Sequence, residues 1–351
     1  MISETVNGVH TYSVGTVITH EQFKKIWDAC YKTGCIDDSF NIWKKRERLY
    51  CSAFQEQGLK VYLTGKCGKL YRLRVQIEPC HVLGEQDPTA LFQPDTQSYK
   101  KLVKTADKLL KKLKVPVSID QMKISRCDLT INILFSTQAE LMEFLRIFKK
   151  SFLIKHYDHV VFQKNGQKAK NWKAANAHSH CLSCKSASFL TYDKIAQLEM
   201  IDRCDELLLN KHILRLEAEL KRPALKKHLG KAAMATNRGI LFAAAEKTPK
   251  VVRQYLKRMQ PSCTQYLRYE DAVKLIKGRN LKSKTQKRML YLLRKVSDAD
   301  SLTNAVGALR YEYSLSSGQC NTILKKFKEL GISPITLRND SEYDKLPALK
   351  L

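Results

Sequence analysis

Residues 123–135, KISRCDLTINILF, alternate between apolar and polar side chains with a period of two. Successive side chains of an extended chain point to opposite sides, so Cys127, Leu129, Ile131 and Ile133 share one face. Arg126, Asp128, Thr130 and Asn132 share the other. A strand of this kind needs strand neighbours for its backbone groups and an apolar layer on one side only. Two further runs repeat the pattern. In KLYRLRVQIEP, Leu73, Val75 and Ile77 oppose Arg72, Arg74 and Gln76. In HILRLEAELKR, residues 212–222, Leu214, Leu216, Ala218 and Leu220 oppose Arg215, Glu217, Glu219 and Lys221. The chain is therefore expected to build a mainly antiparallel sheet with one buried and one polar face, covered by helices on the buried face.

The helices are marked at their starts. Thr19 with Gln22 opens a helical stretch that Gly34 stops, and Thr137 with Glu140 reads as a capping box for AELMEFLRIFKKSF. Leu102, Ala106, Leu109, Leu110 and Leu113 recur at three and four residues, the stripe of an amphipathic helix. HVVFQK follows as a strand, so that strand, helix and strand make a βαβ unit or half of a ferredoxin-like layer. A polar, basic loop with Trp172 comes next, then a short strand ending at Tyr192 and a helix through IAQLEM. From Pro223 the patterns are helical and strongly basic. The fold class expected is α+β, with a catalytic domain over residues 1–222 and a basic, mostly helical DNA-binding domain over 223–351. The other reading of the second part is that its helices complete the core of the sheet.

A formal net charge of +28 on 351 residues points to a polyanionic partner, nucleic acid before a membrane surface. The sequence shows neither a long apolar span nor a secretion signal, so a cytoplasmic protein without a membrane partner is expected. Eleven scattered cysteines, an odd number, do not form a disulfide framework. In HSHCLSC, His178, His180, Cys181 and Cys184 could start a zinc site, but a second ligand pair is not evident. The His-x-His spacing is also that of a metal-binding pair in rolling-circle nucleases, yet here Ser179 stands between the histidines in what reads as a polar loop.

Asp128 on one strand, and Glu217 and Glu219 on another, place three acids on faces that a one-sided sheet should display. They are either a solvated polar face paired with Arg126 and Arg215, or ligands of a hard cation, Mg2+ or Mn2+. The second reading gives Tyr192 a role. A phenol is a weak nucleophile at neutral pH, and attack on a phosphodiester needs a cation near the phosphoryl oxygen and another near the phenolate. Lys194, two residues on in an extended chain, would lie beside it. Otherwise Tyr192 is a half-buried strand tyrosine.

The order of these pieces is similar to a known family. ISRCDLTINI resembles the arginine–aspartate strand of rolling-circle replication initiators, FLTYDKIAQLE their tyrosine-x-lysine motif, and ILRLEAELKR their arginine-x-glutamate strand. The set resembles most the gene II replication proteins of filamentous phages, and the Rep-trans plasmid initiators share it. EPCHVLGEQDPTALF, LKKFKELGISPITL and the ending LPALKL are weaker similarities. The resemblance implies a relaxase-like or Rep-like fold and nicking and rejoining of origin DNA through a 5′-phosphotyrosine. Tyr192 matches the nucleophile, Lys194 the lysine beside it, Asp128 and Glu217 the acids, and Arg126 and Arg215 the arginines before them. Glu219 is added from strand geometry. Cys127 departs from the family, where a larger aliphatic residue is usual. The DNA contacts expected are Arg126, Arg215, Lys221 and, for an unpaired strand, Trp172, with host helicase and polymerase as further partners. A non-catalytic DNA-binding regulator is the alternative function.

Overall fold

A computed structural model describes residues 2–41, 46–66, 70–162, 168–169, 178–260, 262–299, 301–349 and 351. The chain opens with a long strand, β1 (Ile2–Ile18), and Thr19 and Gln22 form a capping box at the start of α1 (His20–Tyr31). Strands β2 (Ile36–Asn41), β3 (Arg46–Cys51), β4 (Leu59–Lys66) and β5 (Leu70–Ile77) follow as an antiparallel meander. Next come α2 (Pro79–Val82), α3 (Thr96–Lys112), β6 (Lys123–Phe135) and α4 (Gln138–Lys150). Beyond them lie β7 (Asp158–Phe162), β8 (Lys168–Ala169), β9 (Ser179–Ser183), β10 (Ala187–Asp193), α5 (Lys194–Met200) and β11 (His212–Lys221).

These strands make one sheet in the order β2-β3-β4-β5-β1-β6-β11-β10-β9-β7-β8, antiparallel throughout. The coarse class expected from the alternating runs is thus observed: α+β with a large antiparallel sheet. The βαβ unit is not. β11, β10 and β9 stand between β6 and β7, so α4 carries the chain across three strands rather than to an adjacent one. A strand's own alternation says which face is apolar and nothing about which strand lies next to it. HSHCLSC is also corrected, because residues 179–183 are strand and not loop.

The remainder comprises α6 (Arg222–Leu229), α7 (Asn237–Met259), β12 (Gln265–Leu267), α8 (Tyr269–Lys277), α9 (Ser283–Asp298), α10 (Leu302–Glu312), α11 (Ser317–Glu329) and β13 (Lys345–Pro347). Helix α7 packs on β6, β1 and β11. Its Ile240, Leu241, Ala244 and Val251 join Leu129, Ile131, Leu216 and Ala218 in one hydrophobic cluster. Tyr255 of α7 stacks on Phe189 of β10 with ring centroids 4.8 Å apart. At the start of the helix the Asn237 amide donates to the carbonyls of Ile119 (3.0 Å) and Met122 (2.7 Å), and its Oδ1 accepts from Ile124 N (3.3 Å). Residue 222 is therefore a junction between a strand and a helix, and the core runs straight across it. Among the described residues no helix is long and apolar enough to cross a membrane.

The sharing of one core has a direct consequence. Leu241 is fully buried, and Leu241→Ala should cost about 2–5 kcal/mol of unfolding free energy in urea. A chain ending at residue 222 would expose the apolar face of the sheet and should show no cooperative unfolding transition by circular dichroism. A sharp transition in that shortened chain would contradict the packing role of α7.

Candidate active site

The polar face of the sheet assembles the site through strand register. Asp128 of β6 lies opposite Glu219 of β11, Thr130 opposite Glu217, and Asn132 opposite Arg215. β10 extends the last row, because Tyr192 lies opposite Arg215. Two residues of strand advance about 6.6 Å and neighbouring strands sit about 4.8 Å apart, so these side chains meet in one patch. Asp128, Glu217 and Glu219 each offer an oxygen, and the three lie within 4.8 Å of one another.

A fourth member comes from β1. Val9 faces Leu129 and Tyr12 faces Cys127, so His10 and Thr11 together oppose Asp128. This bulge adds one residue to β1 and puts His10 Nδ1 3.2 Å from Glu217 Oε2. Glu217 is the hub of the patch. Its Oε2 also accepts from the Tyr192 hydroxyl (3.3 Å) and the Thr130 hydroxyl (3.5 Å). Arg126 clamps the other two acids, donating through Nε (2.7 Å) and Nη2 (2.6 Å) to Asp128 and through Nη2 (2.6 Å) to Glu219.

Of the two readings of the acids, a solvated polar face or a cation site, the first does not describe Asp128 and Glu217, which are buried. Asp128 is 0% and Glu217 5% exposed. Two segments roof them. The chain between α2 and α3 pairs with the edge of β1 through Val9 and Phe92 (3.0 and 2.9 Å), and Thr89 O accepts from Asn132 Nδ2 (2.7 Å) and Arg215 Nη2 (2.9 Å). Gly8 permits this approach, since a Cβ there would sit 2.8 Å from Phe92 O. On the other side Ile195 and Leu198 of α5 pack with Leu208 against Ile213 and Leu134. Between the two roofs a cavity of about 490 Å3 remains, lined by His10, Lys60, Glu78, Tyr192, Lys194 and Arg203 among others.

Burial sets the protonation of the groups. It pushes the Tyr192 hydroxyl up, and Glu217 adds to that, while Arg215 opposes both. For Glu217 burial also pushes upward, but the His10 contact and the charges of His10, Arg215 and Arg126 outweigh it and hold the carboxyl low. Asp128 is raised by burial, against the pull of Arg126. Burial and Arg215 lower His10, whose contact with Glu217 works the other way.

Several expected roles need correction. Arg215 is fully buried and donates to Asn132 Oδ1 (2.8 Å) and Thr89 O, so it is not a DNA contact. Its Nη1 is buried beside Tyr192 and Glu217 and makes no well-aligned hydrogen bond among the described residues. Arg126 is partly exposed and is held here by Asp128 and Glu219. Lys194 is not the next outward residue of a strand. It begins α5, is 4% exposed, and donates to Gln197 Oε1 (2.8 Å), yet it lines the same cavity as Tyr192. Lys221 is exposed and donates to Lys185 O (2.9 Å). Trp172 lies outside the described residues.

His180 faces Thr191, one residue off Tyr192, and its ring lies tilted against that of His159, centroids 4.9 Å apart, on the opposite side of the sheet. His178 Nδ1 lies 3.5 Å from Asp193 Oδ2. The sequence reading missed His10. Its signal was present but faint: apolar core positions at Val9, Tyr12 and Val14 break the period of two by one residue. The buried Nη1 of Arg215 has no sequence signal.

Three carboxylates with a histidine beside them fit a hard divalent cation, which prefers oxygen ligands. Asp128, Glu217 and Glu219 would hold it, with Arg126 shifting from the shared oxygens. Comparison with protein-family models and with curated proteins finds no match to this chain.

Lys194 gives a test that separates site chemistry from folding. Burial, then Arg215, depress its pKa well below the ordinary value, against the pull of Glu217 and Glu78. The unfolded chain thus binds more protons between that depressed pKa and about 10.4, and Lys194 makes stability rise with pH across this window. Lys194→Met should remove that component of the slope and leave the protein at least as stable at pH 7. Urea titrations at pH 7 and 9 measure it; a variant clearly weaker at pH 7 would show that the ammonium holds the fold together.

Proposed function

We propose that the chain is a rolling-circle replication initiator that nicks and rejoins origin DNA in a metal-dependent reaction. The observation that carries this reading is that Tyr192, which lines a partly roofed cavity together with His10 and Lys194, hydrogen-bonds to Glu217 of a cluster of three acids, Asp128, Glu217 and Glu219, on the polar face of the sheet. The motif order resembles that of the gene II and Rep-trans initiators, and an antiparallel α+β sheet suits a relaxase-like or Rep-like fold.

In the proposed reaction Tyr192 Oη bonds to the scissile phosphorus and its proton passes to Glu217 Oε2, the acceptor it already faces. The bond from phosphorus to the 3′ oxygen breaks, and that oxygen leaves as a hydroxyl after taking a proton from solvent. The 5′ phosphate stays on Tyr192, and the reverse attack by a 3′ hydroxyl rejoins the strand. A bound Mg2+ or Mn2+ would polarise the phosphoryl oxygen and offset its charge. Arg215, with a donor beside Tyr192, offsets charge on the phenolate, and buried Lys194, which lines the same cavity as Tyr192 and whose charged form is disfavoured at rest, takes up a proton as negative charge develops. The freed 3′ hydroxyl would serve a host polymerase, with a host helicase opening the duplex. The basic helices after residue 222, with Lys221 at the edge of the sheet, would hold duplex DNA.

A DNA-binding regulator is the second reading, and one observation favours it: Arg126 already neutralises Asp128 and Glu219. Incubating the full chain with single-stranded DNA carrying the element's own origin and Mn2+ decides between them. The initiator should give a covalent adduct that Tyr192→Phe abolishes. Glu217→Gln and Asp128→Asn should lower cleavage about 10²-fold or more while DNA affinity holds or rises, since an acid is lost from a basic protein. His178→Ala should cut normally. Binding without cleavage or adduct in the native protein would leave the regulator.

A further inference from the structure

The polar face continues beyond the roofed site, and there it is open. Across β3, β4, β5, β1 and β6 the register aligns Tyr50, Tyr62, Arg74, Gly15 and Lys123 in one row. The next row aligns Arg48, Thr64, Arg72 and Val17. Together they floor a concavity of about 1080 Å3 that also takes in Arg46 and Arg222. Six cations thus line it, against Asp37 as its one acid among the described lining residues. Arg46, Arg48, Arg72, Arg74 and Lys123 are all exposed. No ion pair to any of them occurs among the described residues. By contrast, Arg126 is held by two acids on the same face.

Five unpaired cations on one concave surface repel one another, and the arrangement is stable chiefly because water screens it. A polyanion that displaced the water would relieve the repulsion. The floor also carries aromatic groups. The Tyr50 and Tyr62 rings stack with centroids 5.0 Å apart, and the Arg74 guanidinium lies 4.2 Å above the Tyr62 ring. Both tyrosines are only half-buried. Duplex DNA is ordinarily met by a convex helix or ribbon entering a groove, whereas a basic trough with planar groups in its floor suits unpaired bases.

We propose that this trough is a second DNA subsite, which holds the single strand running to or from the nick. It rests on the nicking reading for the substrate class alone; its charge and stacking stand without it. The geometry sets its reach. On β6 the Lys123 and Asn132 rows are nine residues apart (132 − 123), roughly 30 Å at the rise of a strand. A stacked strand at about 3.4 Å per nucleotide covers that in about nine nucleotides. The row of Lys60, Gln76, Ser13, Arg126 and Lys221 lies between the two, so the path stays on one face of one sheet.

The test measures binding of single-stranded oligonucleotides carrying the candidate nick sequence to the full chain in EDTA by fluorescence anisotropy. The probes extend 4 or about 15 nucleotides to the 5′ or the 3′ side, lengths chosen to bracket that nine-nucleotide reach. One long probe should bind the native protein clearly more tightly than its short partner. In Arg48→Gln/Arg72→Gln that advantage should fall about tenfold or more, the order expected for lost charge-assisted hydrogen bonds. The slope of log affinity against log salt should drop by about 1.4, two phosphate contacts at about 0.7 each. Tyr62→Ala should weaken the same long probe and leave the salt slope unchanged. The thermal midpoint of each variant, compared with the native chain, shows that the fold is intact.

Equal affinity of long and short probes for the native protein would overturn the proposal, and so would a double variant that keeps the native advantage. Preferential binding of duplex, lost in the double variant, would overturn the single-strand assignment. A long-probe advantage in the native protein that the double variant loses, with no Tyr192 adduct formed by the native protein, would support the trough while sinking the nicking reading, so the two failures are distinguishable.

Discussion

The register between β6 and β11 governs the polar face. With Glu219 opposite Asp128 and Glu217 opposite Thr130, four polar positions on each strand turn to one side and their apolar partners to α7. A slip of one residue would send the carboxylates into the helix layer and Leu216 and Ala218 into the cavity. The packing of α7 on β6, β1 and β11 therefore protects the register as much as it supplies core. A helix that lies beyond residue 222 in sequence keeps the acids of residues 128 and 217 on one face. The hydrophobic cluster beneath this face runs across residue 222.

The face so fixed carries groups that burial disfavours. Taking an ion out of water costs several kcal/mol after relaxation, and Arg215, Asp128, Glu217 and Lys194 are all nearly or fully buried. Mutual neutralisation offsets part of this. Arg126 spans two acids, and Glu217 collects donors from three strands. What is left over is an Arg215 guanidinium nitrogen with no well-aligned hydrogen bond among the described residues, and a lysine whose charge is disfavoured where it sits. Apolar residues would fill the same space with less penalty. Perturbed ionisable groups of this kind cluster at functional sites and also occur in structural ion-pair networks.

The same sheet face is treated in two ways along its length. Over Tyr192 and the acids, the segment around Thr89 and Phe92 and the helix α5 limit the access of water, and charge interactions there are strong and little screened. Over β3 to β5 nothing among the described residues covers it, and the arginines remain hydrated. A polyanion lying along this face would exchange hydration for protein contacts gradually and be fully desolvated only at the roofed end. The contrast comes from connections between strands, since the alternation of residues is the same in both regions.

What the sequence determined by itself is what depends on neighbours along the chain. Alternation placed Asp128, Glu217, Glu219 and Arg72 on polar faces, Thr19 and Thr137 accepted from the backbone of Gln22 and Glu140, and Gly34 and Gly331 took positive φ just beyond helix ends. What only the tertiary structure decided rests on contacts across long separations. His10 meets Glu217 because a bulge in β1 faces Asp128, and Arg215 is buried because Thr89, over a hundred residues earlier, crosses above it. Arg126 and Arg215 look alike in sequence, each preceding an acid by two residues, yet one bonds to carboxylates and the other to an amide and a carbonyl. Residue pattern sets the direction a side chain leaves the sheet. What waits there, water, roof or counter-charge, is set by loops and helices whose paths no local periodicity encodes.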